Sequence, residues 1–236
     1  SRSVCFMYKA VFVMLVCGVF VVGCKNPSQS RKTSQEIFVS PAEKAASGRA
    51  APQSLDSPAK ELNAFQPFYI YTEKGSRQNH YIPSGFMPNG KCLSLDDAWT
   101  QNCHTGKSCI KMQYDVDCSR KDQRWAGIYW LNPANNWGQR KGGFNLTGAQ
   151  KLTFWARGQE GKEQIQEFTV GGITGNYPDS DIAVMGPALL SADWRQYTID
   201  LRGKDLSSIS GGFAWSTNEE VNPQSCTFYL DEIRFE

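Results

Sequence analysis

From Phe68 onward the chain alternates apolar and polar positions in short runs. In Lys151 to Arg157, Leu152, Phe154 and Ala156 share one face while Thr153, Trp155 and Arg157 share the other. Likewise Tyr197, Ile199 and Leu201 oppose Gln196, Thr198 and Asp200. A period of two is the signature of a half-buried strand. The pattern predicts strands near 68–72, 91–95, 108–116, 125–131, 151–157, 164–170, 181–185, 194–201, 211–216 and 226–235. Gly, Pro, Asn and Asp punctuate them, and no stretch sustains a 3.6-residue period with caps. Many short strands with turn signals predict an all-β domain, an antiparallel two-sheet sandwich or a barrel.

The front of the chain has a different pattern. Arg2 and Lys9 precede an uncharged apolar run from Val11 to Val22. That run is about a dozen residues long, short of the roughly 20 a spanning helix needs. It ends in Val21-Val22-Gly23-Cys24, which resembles the bacterial lipobox. The resemblance implies a lipoprotein signal peptide over 1–23, lipidation of Cys24, and contact with a membrane through that lipid. Lys25 in place of Asp favours the outer membrane, facing the periplasm or the cell surface. Residues 24–65 are rich in Ser, Ala, Pro, Lys and Gln and hold none of the seven Trp residues. Such a segment cannot bury enough apolar surface to offset its ordering entropy, so a flexible linker is expected. This leaves 66–236 as one domain, long enough for a real core.

Charge divides at the same boundary. Residues 1–65 carry eight Lys/Arg against four Asp/Glu, and 66–236 carry 17 against 19. The net +2 therefore belongs to the leader and linker. With no basic stripe interleaved with aromatics, nucleic acid is not an expected partner. Oligomeric state is not legible.

Five cysteines follow Cys24: Cys92, Cys103, Cys109, Cys118 and Cys226. In an exported domain disulfides are the default. Cys103 and Cys109 flank a hairpin-like loop that one bridge can close. Cys92 and Cys118 end two strands expected to be neighbours and form the second pair, leaving Cys226; the alternative pairs Cys226 with Cys118. Zinc at Cys103-His104 and Cys109 is disfavoured because only one short-spaced cluster exists.

Catalysis finds little support. There is no G-x-S-x-G elbow, and the domain has only His80 and His104. Glycoside hydrolysis needs two positioned carboxylates. The pairs Glu163/Glu167, Asp179/Asp181 and Glu219/Glu220 sit beside Gly, Asn and Pro, where solvated loop positions are the ordinary reading. The domain is expected not to be an enzyme.

The phrases "LTFWARG", "WRQYTIDL" and "FYLDEIRF", with the run Trp125 to Ala156 and Gly171-Gly172, resemble the galactose-binding-domain-like jelly rolls used as non-catalytic carbohydrate-binding modules. The resemblance covers nearly all of 66–236 and implies an antiparallel two-sheet jelly roll. It also implies a structural Ca²⁺ near the ends of the first and last strands. Asp231 matches the last-strand position, and it shares strand phase with Tyr229, Ile233 and Phe235. A carboxylate on an inward face must be paired, hydrogen-bonded or on a metal. Oxygen ligation suits Ca²⁺, and Glu73 in the first-strand turn is the matching partner. Asp231 capping backbone amides, or meeting an Arg, is the alternative.

Sugar rings stack their C–H faces on aromatics, while polar side chains satisfy the hydroxyls. Trp155 and Arg157 share an outward face, and Trp137 sits in a polar loop beside Asn136. Tyr129 and Trp130 lie at the strand end feeding that loop, and alternation turns only one of them outward. Trp130, Trp137, Trp155, Tyr129, Asn136 and Arg157 are thus the expected carbohydrate-binding residues. A polysaccharide or oligosaccharide is the expected partner. The competing expectation is an envelope module that docks a protein, and a glycan-active enzyme ranks third.

Overall fold

The computed structural model describes residues 64–236. The expected signal peptide, the expected anchor at Cys24 and nearly all of the expected linker lie outside the described residues.

Thirteen strands and one short helix make up the described chain. The first sheet runs β11 (Arg195–Asp200), β6 (Lys151–Gly158), β13 (Cys226–Phe235), β4 (Cys109–Tyr114) and β3 (Leu93–Trp99). Its sixth strand, β1 (Phe68–Tyr71), pairs with the far end of β13. The second sheet runs β2 (Ile82–Met87), β5 (Trp125–Leu131), β12 (Gly211–Asn218), β8 (Glu167–Gly171) and β9 (Ile182–Met185). A two-residue ribbon, β7 (Gln164–Ile165) with β10 (Ala188–Leu189), completes the strands. Every pairing between strands of the described residues is antiparallel, and the two sheets form the expected jelly-roll sandwich.

Alternation explains the core. Leu152, Phe154 and Ala156 of β6 and Phe228 and Leu230 of β13 face inward, meeting Ile128, Trp130, Phe168, Phe213 and Trp215 of the second sheet. Phe154 lies 4.6 Å from Phe168 and 5.1 Å from Phe213, centroid to centroid. Trp215 meets Phe228 edge-on at 4.8 Å. Such aromatic contacts add to the large apolar area these side chains bury.

All ten expected strands are present, with ends shifted by a few residues; the expected 164–170 strand divides into β7 and β8. Two strands and a helix were not expected. β2 reads IPSGFM, and Pro and Gly mask its edge-strand character. β10 is two residues long. The segment expected as a strand to 116 ends at Tyr114, and Val116–Arg120 form a one-turn helix, α1, capped by Asp115 through the amides of Asp117 and Cys118.

Both expected disulfides form. Cys92 and Cys118 have Cα atoms 5.4 Å apart, and Cys103 and Cys109 5.5 Å apart, normal spacings for a bridge. Cys226 is unpaired and half-buried, with its thiol pushed up to about 12 by burial and by the Glu163 carboxylate.

One phase reading is corrected. Asp231 does not share a face with Ile233 and Phe235. The β13–β6 register shifts between Asp231 and Arg234, and Glu232 takes a φ of 48°. That bulge, with one residue in the left-handed region, resets the alternation. Tyr229 and Asp231 therefore lie on the outer side of the first sheet, while Ile233 and Phe235 enter the core.

Candidate functional site

The expected binding residues divide between the core and the two outer faces of the sandwich. Trp130 belongs to the core: it is 1% exposed and packs edge-on against Phe213 at 5.4 Å. It pointed inward because Tyr129 took the outward position of β5. Asn136 is also corrected. It is 1% exposed, its Nδ2 donates to the Arg140 carbonyl, and its Oδ1 accepts from the Arg140 amide, so it shapes the loop from within.

Tyr129 and Trp137 come together on the second sheet. Their rings meet nearly perpendicular at 5.8 Å, and Trp137 is 36% exposed. The Tyr129 hydroxyl donates to the Gly171 carbonyl, fixing the ring along the surface. Gly85 makes room for the pair, since a Cβ there would stand 2.9 Å from Tyr129 Cβ and 3.0 Å from Trp137 Cζ2. The Trp137 loop is held against the next loop: the Tyr177 amide donates to the Gly138 carbonyl. Exposed Tyr177 thereby joins the same end. Asp179 anchors that second loop by accepting from the amides of Ile173, Ser210 and Gly211. Its carboxyl is nevertheless shifted upward, because burial outweighs those three bonds.

Cross-strand register lays out the rest of this face. One row runs Gly85, Tyr129, Ala214, Thr169, Val184; the next runs Met87, Gly127, Ser216, Glu167. The middle of both rows is small residues, so the face has a low floor. Gly127 marks the closest approach, where a Cβ would sit 2.5 Å from the Trp215 carbonyl and 3.0 Å from Met87 Cε. Exposed Ile182 and Val184 on β9 flank the floor on one side and Met87 on the other. Neither row contains Lys or Arg. This is an aromatic-ended, apolar-sided trough with polar Thr169, Ser216 and Glu167 along its floor. Tyr177, Ile182, Val184 and Thr169 were missed from sequence, because only the folded register brings them beside Tyr129.

The outer face of the first sheet is already covered. Trp155 does point outward, but His104 stacks on it with centroids 3.7 Å apart. Arg157 lies 3.9 Å from the Tyr229 centroid and is 9% exposed. Lys111 Nζ sits 4.2 Å over Trp99. Trp155 and Arg157 thus do not join Tyr129 and Trp137; they lie on the opposite side of the sandwich.

His104 belongs to the Cys103–Cys109 loop, and the carboxylates expected on calcium hold that loop. Asp231 Oδ2 accepts from the amides of His104 and Thr105, and its Oδ1 from the Glu232 amide. Glu73 accepts from the amides of Lys107 and Ser108 and from the Ser108 hydroxyl. The amide-capping alternative is the one seen. This donor set does not fit Ca²⁺: the N–H dipoles point positive ends at the space a cation would share. Among the described residues no cluster of three or more His, Cys, Asp or Glu offers a further site. Desolvation raises the Asp231 pKa to about 6, whereas the Lys107 amide leads in holding Glu73 below the usual carboxylate range.

Of the six carboxylates weighed for catalysis, Asp179 and three others have structural partners. Glu163 accepts from the amides of Glu160, Gly161 and Lys162. Asp181 binds the amides of Ile182 and Asp205 and the Lys204 ammonium. Glu219 pairs with Arg124 and Arg120. A depression of about 560 Å³ beside Glu163 and Cys226 is lined otherwise by residues such as Gln159, Lys162, Asn222 and Thr227 and contains no aromatic residue.

No family model and no curated relative matches the chain. Among solved structures the chain is similar to the family 30 carbohydrate-binding module of cellulosomal cellulase Cel9D-Cel44B of Clostridium thermocellum. That match has 14% identity and a TM-score of 0.46, covering 72% of this chain and 97% of that one. A family 11 module of cellulosomal cellulase Lic26A-Cel5E from the same organism matches at 12% identity and TM-score 0.42, covering 61% and 80%. The CBM22-1 xylan-binding domain of Paenibacillus barcinonensis Xyn10C matches at 13% identity and TM-score 0.42, covering 73% and 92%. The fold rests on the topology and register above, and the site on its own geometry.

Proposed function

We propose that the domain binds a neutral glycan in the trough on the outer face of the second sheet. The carrying observation is the juxtaposition of Trp137, Tyr129 and Tyr177 at one end of a floor of small residues that includes polar Thr169 and Ser216, with Glu167 beside them. Flat amphipathic rings offer C–H stacking at low entropy cost, and polar side chains set orientation. The absence of Lys and Arg from both rows favours uncharged sugar. The reading includes an envelope setting, with the domain held at a membrane by lipid on Cys24. No reaction is assigned to the trough, whose work is retention.

The experiment is titration of the protein with a panel of neutral oligosaccharides, before and after Trp137→Ala. Binding that weakens about ten- to a hundredfold, with an unchanged melting curve, supports the trough. Silence across the panel, or affinity indifferent to Trp137, removes it. For the anchor, Cys24→Ser should abolish lipid labelling and release the protein from membranes. Unchanged labelling would overturn that part alone.

A further inference from the structure

The outer face of the first sheet carries a positive charge that nothing on the described protein answers. Arg157 is 9% exposed, yet its Nε meets no hydrogen-bond acceptor. No carboxylate among the described residues forms an ion pair with it. The guanidinium carbon is 3.9 Å from the Tyr229 ring centroid and 5.5 Å from that of Trp194. Stacking on ring faces attracts a cation, but here it leaves the in-plane Nε–H without an acceptor. A desolvated charge without a counter-charge is destabilising. Other buried ionisable groups behave differently: Glu163 and Asp231, 3% and 0% exposed, each accept three amide bonds. Among the three buried charged side chains of the described residues, Arg157 is the exception.

Its neighbours extend the signal. Register places Lys111, Tyr229 and Arg157 in one outward row across β4, β13 and β6. Trp194, just before β11, closes that row beyond Arg157, its Nε1 donating to the Asn102 carbonyl. Lys111 also lacks an ion pair, although exposed Asp96 stands opposite it on β3, at the end away from Arg157. Trp99 and Trp194 are partly exposed, so flat apolar surface lies beside the unpaired cations.

We propose that this row is a second ligand site, taking an oxyanion, either carboxylate or sulfate ester, borne on a sugar ring. Arg157 supplies a fork of donors that matches a planar oxyanion in two-point fashion. Lys111 adds a second charge, and the partly exposed Trp194 frames the ring. The inference rests on the carbohydrate reading only for the carrier of the anion, because the unpaired guanidinium lies on the face opposite the trough.

The test is calorimetric titration of the full chain at low ionic strength with three ligands. These are an oligogalacturonate, the same oligosaccharide fully methyl-esterified, and a sulfated oligosaccharide. At least one anionic ligand should bind, with the uronate and sulfate arms separating the two sources. If the uronate binds, its ester should bind at least tenfold more weakly. Arg157→Gln should weaken the anionic ligand at least tenfold, Arg157→Lys should recover part of that loss, and Trp137→Ala should leave it unchanged. Ester and acid binding alike once Trp137→Ala has disabled the trough, or silence with both anions, overturns the site. So does an Arg157→Gln protein that melts earlier but keeps its affinity. Should that variant fail to fold, the acid against ester comparison on the Trp137→Ala chain decides. Neutral-panel silence beside acid binding would sink the trough reading and leave this one standing; the reverse would do the opposite.

Discussion

The two outer faces of the sandwich hold comparable aromatic inventories and use them differently. On the first sheet Trp155, Tyr229 and Trp99 are each met by a side chain of the protein itself: His104, Arg157 and Lys111. A loop stapled by Cys103–Cys109 and pinned by Asp231 and Glu73 brings the first of these covers into place. On the second sheet Trp137 and Tyr177 stand out from small neighbours, 36% and 42% exposed. An outward aromatic is therefore free to meet a ligand only where no nonlocal segment has claimed its ring. Strand phase reveals the first condition; only the fold reveals the second.

The largest effect should come from a residue on neither face. Trp130→Ala removes a side chain that is 1% exposed. Truncating so large a buried aromatic costs about 3–5 kcal/mol, a fall in melting temperature on the order of 10 °C for a domain of this size. If Trp130→Ala melts normally yet loses glycan, the division between core and trough is wrong. On the first face, Cys103→Ser opens the short loop and should cost about 2–3 kcal/mol by the loop-entropy account. It should also increase solvent quenching of tryptophan fluorescence as His104 leaves Trp155. Stability loss without that spectral change would mean the loop does not depend on its bridge for position.

Trp137→Ala sharpens the comparison from the other side. A ten- to hundredfold loss of neutral-glycan affinity corresponds to about 1.4–2.8 kcal/mol of binding, and the melting curve should stay in place. Phe86 or Met87 substitutions would not substitute for this test, since neither offers a flat ring end-on to Tyr129 beside Gly85.

These expectations also show what the chain disclosed before folding. Alternation marked ten strands, because Val, Ile, Phe and Tyr at period two are hard to place any other way. It also chose between the adjacent Tyr129 and Trp130 in principle, since one strand cannot turn both outward. It failed at Asp231, where a single left-handed residue, Glu232 with φ 48°, resets the phase without any Gly to announce it. It failed at β2 for the opposite reason, because IPSGFM carries turn residues into a strand. The trough was half visible. Tyr129 and Trp137 stood out, whereas Tyr177, Ile182 and Val184 depend on pairings between strands far apart in sequence.

A smaller, pH-dependent effect follows from Asp231. Burial raises its carboxyl pKa to about 6, above the ordinary range of an aspartate, against the opposing pull of the Thr105, Glu232 and His104 amides. The folded state therefore holds this proton more tightly than the unfolded state between about pH 4 and pH 6. Stability from this group is greatest at the acid end of that window and is lost as pH rises through it. Asp231→Asn should flatten that part of the pH–stability curve. An unchanged slope in the variant would show that another group titrates there.

The smallest expected effect is none at all, and it concerns the two carboxylates expected to ligate calcium. Were Asp231 and Glu73 calcium ligands, adding the ion at a hundred times its Kd would stabilise the fold by about 2.7 kcal/mol, which a melting curve resolves as several degrees. The structure puts three N–H groups on Asp231 and two, with a hydroxyl, on Glu73. Those dipoles already supply the positive charge that an ion would bring, and they do so without coordination water to strip. Melting curves in chelator and in millimolar calcium should therefore superimpose. A calcium-dependent rise that disappears in Asp231→Asn would mean the amides yield to the ion, and the loop covering Trp155 would then be set by metal rather than by the two carboxylates alone.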